Sequence, residues 1–169
     1  MINTDLIALR PQIALDGSKK GFLNVYGKGW PEGVSKENSR DGDWGARKKQ
    51  LMGDYNFNLC FENTATYNYL TEKIWDSIEN YCLLIYYEKN TNAYEIFPEN
   101  SFIDYSNFNS SQELFDFITN ISDEEYINRM TNCIKVYNYI SSQGPRLAVA
   151  ERKKMLDKII EKVKFIMTN

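Results

Sequence analysis

An α/β fold with a mainly parallel, doubly wound sheet is the class this sequence predicts. Short apolar runs of strand length alternate with stretches of helical periodicity, which is the pattern of successive βαβ units. The apolar run at 56–61 passes through a polar, aromatic-rich loop into a helix start at 71–73. A Ser-Ser-Gln-Gly-Pro segment then separates two longer helical patterns near the C-terminus.

Taken in order, Pro11 suits the first position of a short helix that ends near Gly17. Strands are expected at Phe22–Tyr26, Asn56–Phe61, Leu83–Tyr87 and Phe102–Asp104, where aromatic and branched residues cluster. Helices are expected near Gly45–Met52, Thr71–Tyr81 and Ser111–Asn120. Asp123–Ser141 and Leu147–Met167 read as two further helices, divided by Gly144 and Pro145. The polar, glycine-rich stretch from Gly27 to Gly45 reads as a surface loop. Residues 1–142 form the expected main domain, and 143–169 an amphipathic, basic C-terminal helix.

Composition narrows the function. A chain of 169 residues, 43% of them hydrophobic, can bury a real core and is not disordered throughout. A formal charge of -3 gives no general attraction to nucleic acid, and the tyrosines are not interleaved with basic residues, so nucleic acid is not an expected partner. Histidine is absent, so acid–base chemistry falls to carboxylates and the commonest metal ligand is missing. Cys60, Cys82 and Cys133 lie far apart in apolar surroundings, the pattern of buried free thiols in a reducing compartment, and no zinc spacing is present. Neither a signal peptide nor a membrane-spanning run is expected, which points to a cytoplasmic location.

The chemistry concentrates at 61–73, Phe-Glu-Asn-Thr-Ala-Thr-Tyr-Asn-Tyr-Leu-Thr-Glu-Lys. A strand that runs into a helix start points free backbone N–H groups and a partial positive charge at one spot, where a diphosphate fits. Lys73 adds charge there, and the guanidinium of Arg10 can grip phosphate oxygens in pairs. Singly, these residues have plainer readings: Thr71 as a helix N-cap, Glu72 as a first-turn acid, Lys73 and Arg10 as solvated surface cations. Asp41-Gly42-Asp43 has the Asp-x-Asp form that holds metals in some sugar transferases, but acid–Gly–acid is common turn chemistry; Gly27-Lys28-Gly29 is likewise short enough to be a turn.

The string resembles the donor-binding motif of the alpha-1,3/4-fucosyltransferases, glycosyltransferase family ten, with Leu70 where that family usually has valine. The resemblance runs from about Arg10 to about Tyr105. Val25-Tyr26-Gly27-Lys28 and Asp54–Cys60 look like earlier strands of the family, and Phe97-Pro98-Glu99-Asn100-Ser101-Phe102-Ile103 is similar to its Phe-Pro-x-x-Ser-Phe-Ile segment. It implies a Rossmann-like domain, the nucleotide half of a two-domain GT-B glycosyltransferase. By match, Arg10 and Lys73 would neutralise the diphosphate of GDP-fucose, Glu72 would hold sugar or ribose hydroxyls, and Asn63 and Tyr69 would line the donor pocket. It further implies inverting transfer of fucose to a glycan hydroxyl with no cofactor and no metal, the general base lying outside this chain.

The sequence departs from the family in several places. Leu84 and Glu88 stand where a Pro-x-x-Tyr-Gly pattern is common, and a carboxylate near a diphosphate repels it. The strand expected before Arg10 and the family's acceptor domain are not apparent, so an acceptor domain or a second subunit is an expected partner. At the C-terminus, Leu147, Met155, Leu156, Ile159, Ile160, Val163, Ile166 and Met167 form an apolar stripe beside Lys153, Lys154, Lys158, Lys162 and Lys164. That stripe fits packing on the sheet or on a missing domain, and also peripheral contact with a membrane or self-association. Two readings remain: a fucosyltransferase donor domain, and a truncated, non-catalytic nucleotide-binding or assembly module.

Overall fold

The computed structural model describes residues 4–37 and 42–168. By internal contacts the chain forms two units, Met1–Ile134 and Lys135–Asn169.

In the first unit the sheet is parallel and small. Strands β1 (Phe57–Leu59), β2 (Leu83–Tyr86) and β3 (Ile103–Asp104) lie side by side in chain order. Phe57 pairs with Leu83, Leu59 with Ile85, Ile85 with Ile103 and Tyr86 with Asp104. All four residues of β2 are buried, as befits a central parallel strand covered on both faces. Helix α1 is Thr4–Lys19, α2 Trp44–Met52, α3 Glu72–Glu79, α4 Ala93–Ile96, α5 Ser111–Asn120 and α6 Asp123–Thr168. Helix α3 makes the crossover from β1 to β2 and buries Ile74, Ser77 and Ile78 along one face, the spacing a helix needs to seat on a sheet.

Three sequence expectations are corrected. Pro11 does not open α1 but lies inside it, so Arg10 also sits within the helix and not ahead of it. The expected strand at Phe22–Tyr26 is reduced to one bridge, Val25 to Ser35. The N–H groups of Phe22 and Leu23 close the end of α1 by donating to Gly17 O at 2.8 and 3.2 Å, and Phe22 stacks on Phe115 of α5 with ring centres 5.1 Å apart. With the N–H groups of Phe22 and Leu23 turned to the helix end, only Val25 keeps a strand-like pairing, its carbonyl accepting from Lys36 N at 2.8 Å. Without that strand the described sheet runs β1-β2-β3 with no reversal of order. The third correction is α4, a single turn the periodicity gave no sign of.

The start of α6 belongs to this unit and fastens the strand beginnings: the Tyr126 hydroxyl donates to Asn56 O at 3.1 Å and to Tyr81 O at 2.9 Å, and Arg129 to Phe102 O at 2.8 Å. Gly144, at φ 51 and ψ -142, interrupts α6 just before Pro145, where the sequence separates two helices. In the second unit, Leu156, Ile159, Ile160, Val163 and Ile166 are all substantially exposed. No helix among the described residues is long and apolar enough to cross a membrane.

Gly17 is where α1 approaches α5: a Cβ there would lie 2.8 Å from Phe115 Cζ and 2.9 Å from Leu23 Cβ. Gly17→Ala should therefore destabilise by about 1–3 kcal/mol through overpacking, a fall in Tm of roughly 3–10 °C by thermal melting. An unchanged melting temperature would contradict the close approach.

Candidate functional site

Beyond Leu59 the chain leaves the C-terminal end of β1 with Cys60, Phe61 and Glu62 all buried. Cys60 N continues the pairing by donating to Ile85 O at 2.9 Å, and the Phe61 ring packs on Tyr87 and Tyr105 at 5.8 and 5.5 Å. The loop that follows is clasped to the start of α4. Asn68, at φ 62, donates its N–H to Asn92 Oδ1 at 3.1 Å, and the Asn92 amide returns a bond to Asn68 Oδ1 at 3.1 Å. The Tyr67 hydroxyl reaches the Glu95 carboxylate at 2.8 Å.

Glu62 is the hub. Its side chain is 1% exposed and accepts three bonds: Thr71 N–H to Oε1 at 2.8 Å, Thr71 Oγ1 to Oε2 at 2.7 Å, and Lys73 Nζ to Oε2 at 3.1 Å. Lys73 Nζ also donates to Thr71 Oγ1 at 2.8 Å. A buried carboxylate with this many donors is what the cost of desolvating a charge demands. Burial works against the Lys73 charge, but the Glu62 carboxylate outweighs it and, with Glu72, holds the ammonium above the usual lysine pKa.

Because the Thr71 hydroxyl is engaged with Glu62 and Lys73, it makes no capping bond to α3. The first turn of that helix therefore presents backbone N–H groups not satisfied by the cap residue. The exposed Glu72 carboxylate is held below the usual range chiefly by its own backbone N–H and further by Lys73, 3.6 Å away. Arg10 joins from α1: its guanidinium lies 3.3 Å from Phe61 O and 3.5 Å from Asn63 Oδ1. Tyr69 is half-buried on the same loop, its N–H donating to Thr66 O at 3.3 Å.

Arg10 with Asn63, and Glu72 with Lys73, are thus gathered at the C-terminal end of β1 and the N-terminus of α3. Glu62, which the sequence alone does not single out, joins them: its neighbours Phe61 and Asn63 meet Arg10, and its own carboxylate bonds Lys73. Its one sequence signal is an acid directly after Cys60-Phe61, still inside the buried run. Lys73 is moreover not a free cation, since its charge is shared with Glu62 at 3.1 Å and Glu72 at 3.6 Å.

Glu88 follows β2 and contacts the end of β3 through its backbone and Thr91 through its carboxyl. Its N–H donates to Asp104 Oδ1 at 3.2 Å and Thr91 Oγ1 lies 3.5 Å from its carboxyl, whose pKa is pushed up by burial and then by Asp104. The nearby Tyr86 hydroxyl is buried with no hydrogen-bond partner among the described residues. Asp43 serves as the N-cap of α2, accepting from Ala46 N at 3.2 Å, while Asp41 lies outside the described residues. Among the described residues no group of three or more His, Cys, Asp or Glu is placed to hold a metal ion. A hollow of about 380 Å³, lined by Asn100, Glu125 and Arg129 among others, lies by the beginning of β3 and α6, at the other end of the parallel strands from Lys73.

The geometry can be set beside known proteins. The model of the glycosyltransferase family 10 (fucosyltransferase) C-terminal region matches residues 18–129, which takes in the whole Glu62–Lys73 loop and the sheet but not Arg10. An alpha-(1,3)-fucosyltransferase of Helicobacter pylori is 38% identical over 71 residues, 42% of this chain and 15% of its own length. An alpha-(1,4)-fucosyltransferase of Arabidopsis thaliana is 33% identical over 108 residues, 64% of this chain and 25% of its own. Crystal structures of an alpha1,3-fucosyltransferase with GDP-fucose and with GDP share the fold, with TM-scores of 0.56 and 0.57 at 24% identity; they cover 73% and 77% of this chain, and 35% and 36% of theirs. The chain thus spans a quarter or less of these curated relatives and about a third of the solved structures. With the matched stretch covering most of the sequence and every strand of the sheet, the chain belongs to glycosyltransferase family 10, the fucosyltransferases.

Proposed function

We propose that this chain is a donor-nucleotide-binding domain that holds GDP-fucose where β1 hands over to α3, for metal-independent transfer of fucose with inversion to a glycan hydroxyl. The observation that carries the reading is the Lys73 ammonium beside a helix N-terminus left open by its own cap residue. Two of its three hydrogens are engaged by Glu62 and Thr71, which leaves one for a phosphate oxygen. That one of the solved relatives holds GDP-fucose and another GDP supports the choice of nucleotide.

In this reading the acceptor oxygen attacks the anomeric carbon of fucose from the face opposite the diphosphate. The bond from that carbon to the phosphate oxygen breaks, and GDP leaves with the electron pair. The acceptor proton goes to a base that no residue of this chain is assigned to supply. Negative charge grows on the leaving diphosphate, and donors already fixed in place (Lys73, the first-turn N–H groups of α3 beyond that of Glu72, Arg10) stabilise it without reorganising. In this reading Glu72, exposed beside Lys73, accepts from a sugar or ribose hydroxyl, and Asn63 and Tyr69 line the donor pocket along the same loop.

The alternative, a module that binds nucleotide or assembles with a partner without turnover, draws on one observation. The charge of Lys73 is opposed by the carboxylates of Glu62 and Glu72, a weaker electrostatic field for a diphosphate than a free cation would give.

Isothermal calorimetry tests the reading. GDP should bind while UDP-sugars do not, and excess EDTA should leave the GDP affinity within about twofold; silence toward GDP, or loss of binding on chelation, would refute it. Arg10→Ala should weaken GDP binding by roughly tenfold, about 1.4 kcal/mol, without a comparable fall in stability. An affinity equal to that of the parent chain would remove Arg10 from the site. Lys73→Ala should instead lower stability by about 3–5 kcal/mol in urea titration, because it leaves the Glu62 carboxylate buried and unpaired. A stability change below about 1 kcal/mol would show that the pair is not buried as described.

A further inference from the structure

We propose that Glu62 is a positioning residue for nucleotide binding: the carboxylate fixes the Lys73 ammonium and the entrance of α3 in the arrangement a diphosphate needs. The inference rests on the donor reading above and assigns a role to a residue that does not itself touch the ligand.

The argument starts from reach. A lysine stem has four rotatable carbon–carbon bonds, so an unanchored ammonium samples a wide volume and must be ordered at the moment of binding. Here that order already exists. Glu62 Oε2 and Thr71 Oγ1 hold Nζ at 3.1 and 2.8 Å, and the Lys73 side chain keeps 21% exposure to solvent. The same carboxylate, through Oε1, holds the Thr71 N–H at 2.8 Å and so fixes the residue from which α3 starts. One buried side chain thus sets both elements of the anion-binding arrangement, the helix start and the cation, relative to β1.

Two other roles for Glu62 fit the geometry less well. A general base must meet its proton donor, and a side chain 1% exposed with three donors already in place does not reach an acceptor hydroxyl. A purely electrostatic role has the wrong sign, because a fixed negative charge beside a diphosphate weakens binding. The opposing signs make the inference testable. If Glu62 acts only through its charge, removing that charge tightens nucleotide binding; if it acts by position, removing the charge loosens it.

The test compares Glu62→Gln, Thr71→Val and Thr71→Ser with the parent chain, each held well below its own Tm. Calorimetry measures GDP binding. Amine labelling of the nucleotide-free protein, resolved at Lys73 by mass spectrometry, measures how firmly the ammonium is held. Glu62→Gln should weaken GDP binding tenfold or more and raise labelling at Lys73 several-fold. Thr71→Val, which removes one anchor and leaves the carboxylate, should move both readouts in the same direction by a smaller factor. Thr71→Ser, which restores the hydroxyl, should leave both within twofold. A folded Glu62→Gln chain that binds GDP as tightly as the parent, or more tightly, overturns the inference, as does unchanged labelling at Lys73. If Glu62→Gln fails to fold, Thr71→Val decides: parental values in both readouts overturn the inference. A parent chain silent toward GDP is a different failure, that of the donor reading, and labelling at Lys73 then still decides whether Glu62 holds the ammonium.

Discussion

A single buried carboxylate organises the functional end of this domain. Glu62 sits where β1 ends, almost wholly removed from water, and accepts from the backbone of Thr71, the hydroxyl of Thr71 and the ammonium of Lys73. The physical constraint is the cost of burying a charge: unless every oxygen is satisfied, the site loses several kcal/mol. The loop from 63 to 71 must therefore bring Thr71 and Lys73 back to the strand end, and α3 can start in only one place. An ion pair of this kind adds little to net stability compared with an apolar replacement, which makes geometry the better account of its presence.

The rest of the first unit supports that junction. The buried central strand β2 takes the apolar face of α3 through Ile74 and Ile78 and fixes the tilt of the helix on the sheet. Tyr67 with Glu95, and Asn68 with Asn92, tie the loop to α4, so its position depends on two strand ends and not one. At the opposite end Tyr126 and Arg129 of α6 close the strand beginnings by donating to the backbone carbonyls of Asn56, Tyr81 and Phe102. The three buried cysteines are inert in this setting; desolvation raises the thiol pKa of Cys60, Cys82 and Cys133 to about 12.

Much of this was legible in the sequence. The runs at 56–61, 83–87 and 102–104 become β1, β2 and β3, and the amphipathic spacing at 71–81 and 111–120 becomes α3 and α5, because periodicity and burial agree there. Phe22–Tyr26 misleads because its aromatic content suits a strand and an aromatic stack equally, and only tertiary contact with Phe115 decides. The Pro11 signal puts Arg10 ahead of a helix, yet α1 runs through the proline and delivers the arginine to Asn63 from within the helix. The role of Glu62 is not legible in the sequence for a physical reason: sequence gives the charge of a residue and not its burial, and the inward turn of an acid after Cys60-Phe61 depends on where Thr71 and Lys73 return. The same limit hides the partial neutralisation of Lys73.

The account depends on nucleotide settling against the Thr71–Lys73 turn. Backbone amide chemical shifts followed during titration with GDP test this most directly. Saturable shifts concentrated at Asn63 and at Thr71 to Ile74, with Asn100 and Arg129 unmoved, are the predicted result. Shifts gathered around Asn100 and Arg129, or none at the start of α3, would contradict it.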